Sequence, residues 1–177
     1  MNIKGTKSEE NIKSAFAGES MARSKYLFFA EAAKAEGNAD AQALFERMAK
    51  NELAHAKLWF KLINDGLGNT DDNLTAAAQG ENYEWRSMYP DFAKQARADG
   101  LEDLALMFEK VAEIESTHER TFLEAFIKNQ TQSGKKPEIQ APTKPTPAYR
   151  CMFCGMESEN PLDVCPVCQA IGAFEKL

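Results

Sequence analysis

The sequence predicts an all-α chain: four amphipathic helices forming a bundle, followed by a small metal-binding module held by cysteines. Three observations predict it. The motif Glu-x-x-His occurs twice, at Glu52-Leu53-Ala54-His55 and Glu115-Ser116-Thr117-His118, and holds both histidines of the chain. The residues around the two motifs repeat at an offset of 62 to 63 positions. All four cysteines fall between positions 151 and 168, in two Cys-x-x-Cys pairs.

The first helix is expected over about 7–36. Ser8 is the expected N-cap, with Glu9 and Glu10 in the first turn. Ile12, Ala15, Phe16, Glu19, Tyr26, Ala30 and Ala33 recur at helical spacing. Gly37-Asn38 stops it. A second helix covers about 39–65 and ends at Asp65-Gly66. A third helical region spans about 71–99, interrupted by Gly80 and Pro90, with a bend expected near one of them. The fourth helix covers about 101–129. Phe16, Phe28, Phe29, Phe45, Trp59, Phe108 and Phe122 read as core. Residues 131–147 carry prolines at 137, 142, 145 and 147 and no apolar periodicity, so they read as a semi-rigid linker. The expected domains are therefore a bundle over 1–130, a linker over 131–147 and a cysteine module over 148–177.

Composition narrows the function classes. A net charge of −6 argues against nucleic acid as a partner. No apolar run is long enough to span a bilayer, and the N-terminus lacks the apolar stretch of a signal peptide. A cytoplasmic location is expected, and in that compartment clustered cysteines read as metal ligands rather than disulfides.

The repeat places the chemistry. At an offset of 62, Asn11, Ala15, Gly18 and Glu19 fall on Asn73, Ala77, Gly80 and Glu81. One residue is then inserted. At an offset of 63, Phe45, Glu46, Ala49, Glu52 and His55 fall on Phe108, Glu109, Ala112, Glu115 and His118. Each half is thus a helical hairpin with one Glu on its first helix and Glu-x-x-His on its second, where positions i and i+3 share a face. Several carboxylates gathered in a bundle centre repel one another and are costly to bury unless cations offset them. This donor set matches the dinuclear carboxylate pattern of ferritin-like di-iron and di-manganese proteins. Oxygen-rich ligation with one imidazole per metal suits iron or manganese. The candidate ligands are Glu19, Glu52 and His55 from the first half and Glu81, Glu115 and His118 from the second, with Glu52 and Glu115 as bridges. Glu84 breaks the symmetry, because its counterpart is Ala22, and it offers a fifth carboxylate. Tyr26 and Tyr89 share the carboxylate face and are candidate hydrogen-bond donors that orient the ligands.

In the tail, Cys151-x-x-Cys154-Gly155 and Cys165-Pro166-x-Cys168 form two knuckles ten residues apart. The spacing predicts one tetrahedral four-sulfur metal site. The ligands alone accept either zinc or iron. Gly155 suits the left-handed backbone such a knuckle requires. Gln169 holds the corresponding place in the second knuckle, where a positive φ costs about 1–2 kcal/mol.

Taken together, Gly18-Glu19, Glu52–His55, Glu81-Asn82-Tyr83-Glu84-Trp85, Met88-Tyr89-Pro90, Glu115–His118 and the C-x-x-C-G…C-P-x-C tail resemble the rubrerythrin family over nearly the whole chain. The resemblance implies a ferritin-like four-helix bundle with a non-haem di-iron site and a C-terminal rubredoxin-like domain with an Fe(Cys)₄ centre at Cys151, Cys154, Cys165 and Cys168. It implies reduction of hydrogen peroxide to water, with rubredoxin or an NAD(P)H-dependent reductase as electron donor. It also implies that Glu84 and His55 alternate on one iron, and that a homodimer forms in which the rubredoxin-like centre of one subunit serves the di-iron site of the other. Two departures from the family pattern stand out: Met156 where an aromatic is common, and Gln169-Ala170-Ile171-Gly172 after the second knuckle. The competing readings are an iron-storage ferroxidase and a metal-binding bundle with a structural zinc ribbon.

Overall fold

The computed structural model of the protein describes residues 3–134 and 147–177. The proline-rich linker expected over 131–147 lies for the most part outside the described residues. The chain divides into two compact units, Met1–Gly68 and Asn69–Leu177.

The first unit is a helical hairpin of α1 (Lys7–Ala35) and α2 (Ala39–Ile63). α1 starts one residue before the expected Ser8 cap. Thr6 is the N-cap instead: its hydroxyl accepts the Glu9 N–H, while the Glu9 carboxylate accepts the Gly5 N–H at 2.7 Å. This reciprocal pair satisfies two donors at the helix start, which Ser8, already inside the first turn, does not. α1 ends at Gly37, whose left-handed φ of 73° lets the Asn38 N–H return to the Ala33 carbonyl at 2.9 Å. Gly100 does the same in the second unit (φ 78°), with the Leu101 N–H on the Ala96 carbonyl at 2.8 Å. The two turns are one repeat apart.

The second unit contains α3 (Thr70–Tyr83), a π-helical segment (Glu84–Met88), α4 (Tyr89–Ala98) and α5 (Glu102–Gln132). Gly80 continues α3 unbroken, and Pro90 is the second residue of α4. The departure from α-helical geometry lies between them, in the π turn. This is also where the repeat changes offset: Glu84 maps to Ala22 at 62, and Tyr89 maps to Tyr26 at 63. A single π turn absorbs one extra residue within a continuous helix and is frequent at functional sites. After it, the side chains regain register. Tyr26 stacks with Phe29 and Phe45, and Tyr89 with Phe92 and Phe108, at matching repeat positions. Small residues are buried at matching positions of the repeat, Ala30 and Ala33 in α1 and Ala93 and Ala96 in α4.

The cysteine module belongs to this second unit. Its sheet has the order β2-β1-β3, with β1 (Tyr149–Cys151), β2 (Glu157–Ser158) and β3 (Phe174–Lys176) antiparallel. The two knuckles are alike. Gly155 N–H meets the Cys151 carbonyl and Gln169 N–H the Cys165 carbonyl, both at 2.9 Å. Gln169 takes the left-handed conformation (φ 62°) at the cost expected from sequence, as Gly155 does freely (φ 77°).

Candidate metal centres

Each half of the repeat gathers its three expected ligands. Glu19, Glu52 and His55 offer donor atoms within 4.8 Å of one another, and so do Glu81, Glu115 and His118. The atoms correspond. His55 Nδ1 lies 3.0 Å from Glu52 Oε2 and 3.7 Å from Glu19 Oε2. His118 Nδ1 lies 2.6 Å from Glu115 Oε2 and 3.9 Å from Glu81 Oε2. In both halves Nδ1 is therefore the nitrogen turned towards the carboxylates, and Nε2 points away from them.

In the second triad the acidic groups crowd one another. Burial and the neighbouring Glu115 charge push the Glu81 carboxyl up to about 7. Burial, then Glu115, also raises Glu84. Tyr89 is raised by burial and by Glu115, Glu84 and Glu81. A divalent cation removes this mutual repulsion, and oxygen donors with one imidazole fit iron or manganese. Glu84 lies outside the three-residue cluster, on the π turn. It is near enough to Glu115 and His118 to respond to their charges.

These shifts give a sign for the metal-free protein. A carboxyl raised in the folded state stabilises it fully below its unfolded value near 4.5, and that contribution is lost as pH rises through about 7. Chelated protein is therefore expected to be less stable at about pH 8 than at about pH 5.5, by on the order of 1 kcal/mol after solvent screening. Metal-loaded protein should lose this dependence. Thermal melts of both forms at the two pH values measure it.

Residues that sequence periodicity does not reveal hold the π turn in place. Glu119, next to His118 on α5, accepts from Asn82 Nδ2 at 2.8 Å and from Trp85 Nε1 at 2.6 Å. The repeat counterparts of Asn82, Trp85 and Glu119 are Ser20, Arg23 and Ala56, so this clamp exists only in the half that carries Glu84. That mismatch was the available signal.

In the module, Cys151 and Cys168 Sγ lie 3.7 Å apart and Cys154 and Cys165 Sγ 3.6 Å apart. A tetrahedron with metal–sulfur bonds of about 2.3 Å has edges of about 3.8 Å, so the four sulfurs fit one ion. Cys151 and Cys165 are buried, Cys154 half-buried and Cys168 exposed. Although burial opposes it, backbone N–H groups of Cys154 and Phe153 bring the Cys151 thiol down to about 7. Burial raises Cys154 and Cys168; a bound cation is what would draw off their protons. Met156 fills the space beside the site, its sulfur 3.8 Å from Cys165 Sγ.

The module also reaches the carboxylate site. Gly155 lies against the His118 ring: a Cβ there would collide with Nε2 and come within 3.1 Å of Cδ2. Gly155 thus serves both the knuckle backbone and this approach.

The sequence matches the rubrerythrin family profile over residues 10–126 and again over 72–152. The second match begins 62 residues after the first, which is the offset of the internal repeat. Rubrerythrin-1 of Clostridium acetobutylicum is 37% identical, over 94% of this chain and 92% of that protein. Rubrerythrin of Porphyromonas gingivalis is 37% identical over 94% and 88%, and that of Nitratidesulfovibrio vulgaris 36% over 94% and 92%. Among solved structures, fully reduced, all-ferrous nigerythrin is similar over 96% of this chain and 86% of that one, at 28% identity and a TM-score of 0.42. With its helices, small sheet and four-cysteine cluster, and at this level of identity across nearly its whole length, the chain belongs to the rubrerythrin family.

Proposed function

We propose that this protein is a non-haem di-iron peroxidase that reduces hydrogen peroxide to water, drawing electrons from rubredoxin or an NAD(P)H-dependent reductase through its four-cysteine centre. The observation that carries the reading is the position of His118. Its Nδ1 faces Glu115 and Glu81, and its far edge abuts Gly155 of the first knuckle. A candidate ligand of the carboxylate centre thus touches the backbone of a loop that holds the sulfur centre. Iron storage has no use for such a contact; electron relay does.

In this reading each triad would hold one iron, with Glu84 a further carboxylate near the second triad, and Cys151, Cys154, Cys165 and Cys168 would hold a third. Loaded with iron, the carboxylate site would supply the two electrons that, with two protons, convert peroxide to two waters. The chain's own groups bind and orient. Burial and the surrounding carboxylates keep Tyr89 protonated, so its hydroxyl can donate a hydrogen bond into the site; Tyr26 is its counterpart in the other half. Glu119 fixes the π turn that carries Glu84. The resemblance assigns to Glu84 and His55 the exchange of places between oxidation states.

Mixing anaerobically reduced protein with one equivalent of peroxide or of dioxygen tests the proposal. Oxidation by peroxide should be the faster, with no gas evolved. Faster oxidation by dioxygen, with iron accumulating as mineral, would favour storage.

A further inference from the structure

We infer that Glu119 makes the two triads unequal in affinity: it fixes the second triad in advance, so that Glu81, Glu115 and His118 take the first divalent cation and Glu19, Glu52 and His55 take the next. This rests on the metal-binding part of the function proposed above and not on the peroxide chemistry.

Glu119 uses both of its oxygens. Oε1 accepts from Asn82 Nδ2 at 2.8 Å and Oε2 from Trp85 Nε1 at 2.6 Å, in a half-buried setting. Each of the three residues is the chain neighbour of a candidate ligand: Asn82 follows Glu81, Trp85 follows Glu84, and Glu119 follows His118. The two bonds therefore tie α3 and the π turn to α5 at the points where the ligands leave the backbone. Support matters there, because a π turn departs from the regular α-helical hydrogen-bond ladder. The Trp85 ring is held on its face as well, where the Arg86 guanidinium lies 4.4 Å from the ring centroid.

The matching positions of the first unit are Ser20, Arg23 and Ala56. Ser20 donates its hydroxyl to the Phe16 carbonyl of its own helix at 2.7 Å, and Ala56 has no side-chain acceptor. The carboxylate that joins the helices of the second unit thus has no counterpart in the first. The donors of the two triads are otherwise the same, two carboxylates and one imidazole with Nδ1 turned towards them. Ligands held in place before the ion arrives lose less freedom on binding it. Hydrogen bonds that support ligands in this way are worth about 10- to 100-fold in metal affinity.

Glu119 is a positioning residue on this account. It is not among the clustered donors, and it acts through Asn82, Trp85 and the backbone that carries Glu81 and Glu84.

The test uses full-length protein with zinc on its four cysteines and its carboxylate sites emptied. Mn²⁺ is added in a calorimeter at about pH 8, where Glu81 no longer holds its proton. The parent should bind in two steps of unequal affinity. The tighter step should survive in His55→Ala and vanish in His118→Ala. Glu119→Ala should weaken the tighter step at least about tenfold and leave the weaker step within about twofold. Glu119→Gln can keep both contacts, accepting from the indole and donating to Asn82 once that amide turns over. It should bind within about threefold of the parent. The Trp85 indole N–H proton resonance, assigned with Trp85→Phe, should move upfield in Glu119→Ala and stay near its parent position in Glu119→Gln. Equal affinities at the two triads, an unchanged tighter step in Glu119→Ala, or both steps weakening together would overturn the inference. So would a Glu119→Gln chain that keeps the indole resonance yet binds as weakly as Glu119→Ala. Failure of Mn²⁺ to bind at either triad would instead refute the metal-centre reading, and the inference with it.

Discussion

Replacing Cys151 with serine is expected to reduce reductase-coupled peroxide turnover to the level seen without protein, while the pre-reduced carboxylate site still undergoes one rapid oxidation. Cys151 is one of the two buried sulfurs of the site. It is 1% exposed, and the backbone N–H groups of Cys154 and Phe153 favour its thiolate. A serine hydroxyl does not ionise at neutral pH and does not replace a thiolate ligand, so the tetrahedral site is lost. The hairpins do not depend on that ion, and far-ultraviolet circular dichroism should retain their helical signal. Steady-state assays with the reductase and single-turnover mixing with peroxide separate the two activities. Survival of coupled turnover would show that electrons enter the bundle without the tail.

The second large effect is expected at Glu115. Its carboxylate lies 2.6 Å from His118 Nδ1 and is named among the charges that raise Glu81, Glu84 and Tyr89. Glu115→Ala should weaken iron binding in the second triad by at least about 100-fold and abolish oxidation of the reduced site by peroxide. The metal-free variant should be as stable as the parent or more so, by on the order of 1 kcal/mol at neutral pH, because Glu81 and Glu84 no longer face a third carboxylate. Metal analysis and thermal melts of chelated protein measure the two effects together. Unchanged iron content with a lower melting temperature would make Glu115 a structural residue instead of a ligand.

Much of this was legible in the sequence because the repeat carries physical information. Matching positions predicted two triads, and the structure gathers both with the same atoms facing one another. The repeat showed one inserted residue without showing its form, and the π turn at Glu84–Met88 lies where the offset changes. The repeat could indicate that Glu84 and Ala22 differ, but not what supports the difference. The Glu119 clamp joins residues more than thirty positions apart and follows no periodicity. The Arg120–Glu157 ion pair is equally remote in sequence. Gly155 was readable as a knuckle glycine from its spacing; its second role, admitting the His118 ring, depends on where the module docks. Ser8 was misplaced as a cap because Thr6-x-x-Glu9 offers a reciprocal pair that a single-residue preference does not weigh.

Metal analysis joined to a visible spectrum of anaerobically purified protein tests the central claim most directly. The account predicts about three irons per chain, two in the carboxylate centre and one on the four cysteines. The visible absorbance of the four-cysteine centre should bleach on reduction and return when stoichiometric peroxide is added. Zinc on the cysteines, or absorbance that stays bleached after peroxide has oxidised the carboxylate centre, would contradict it.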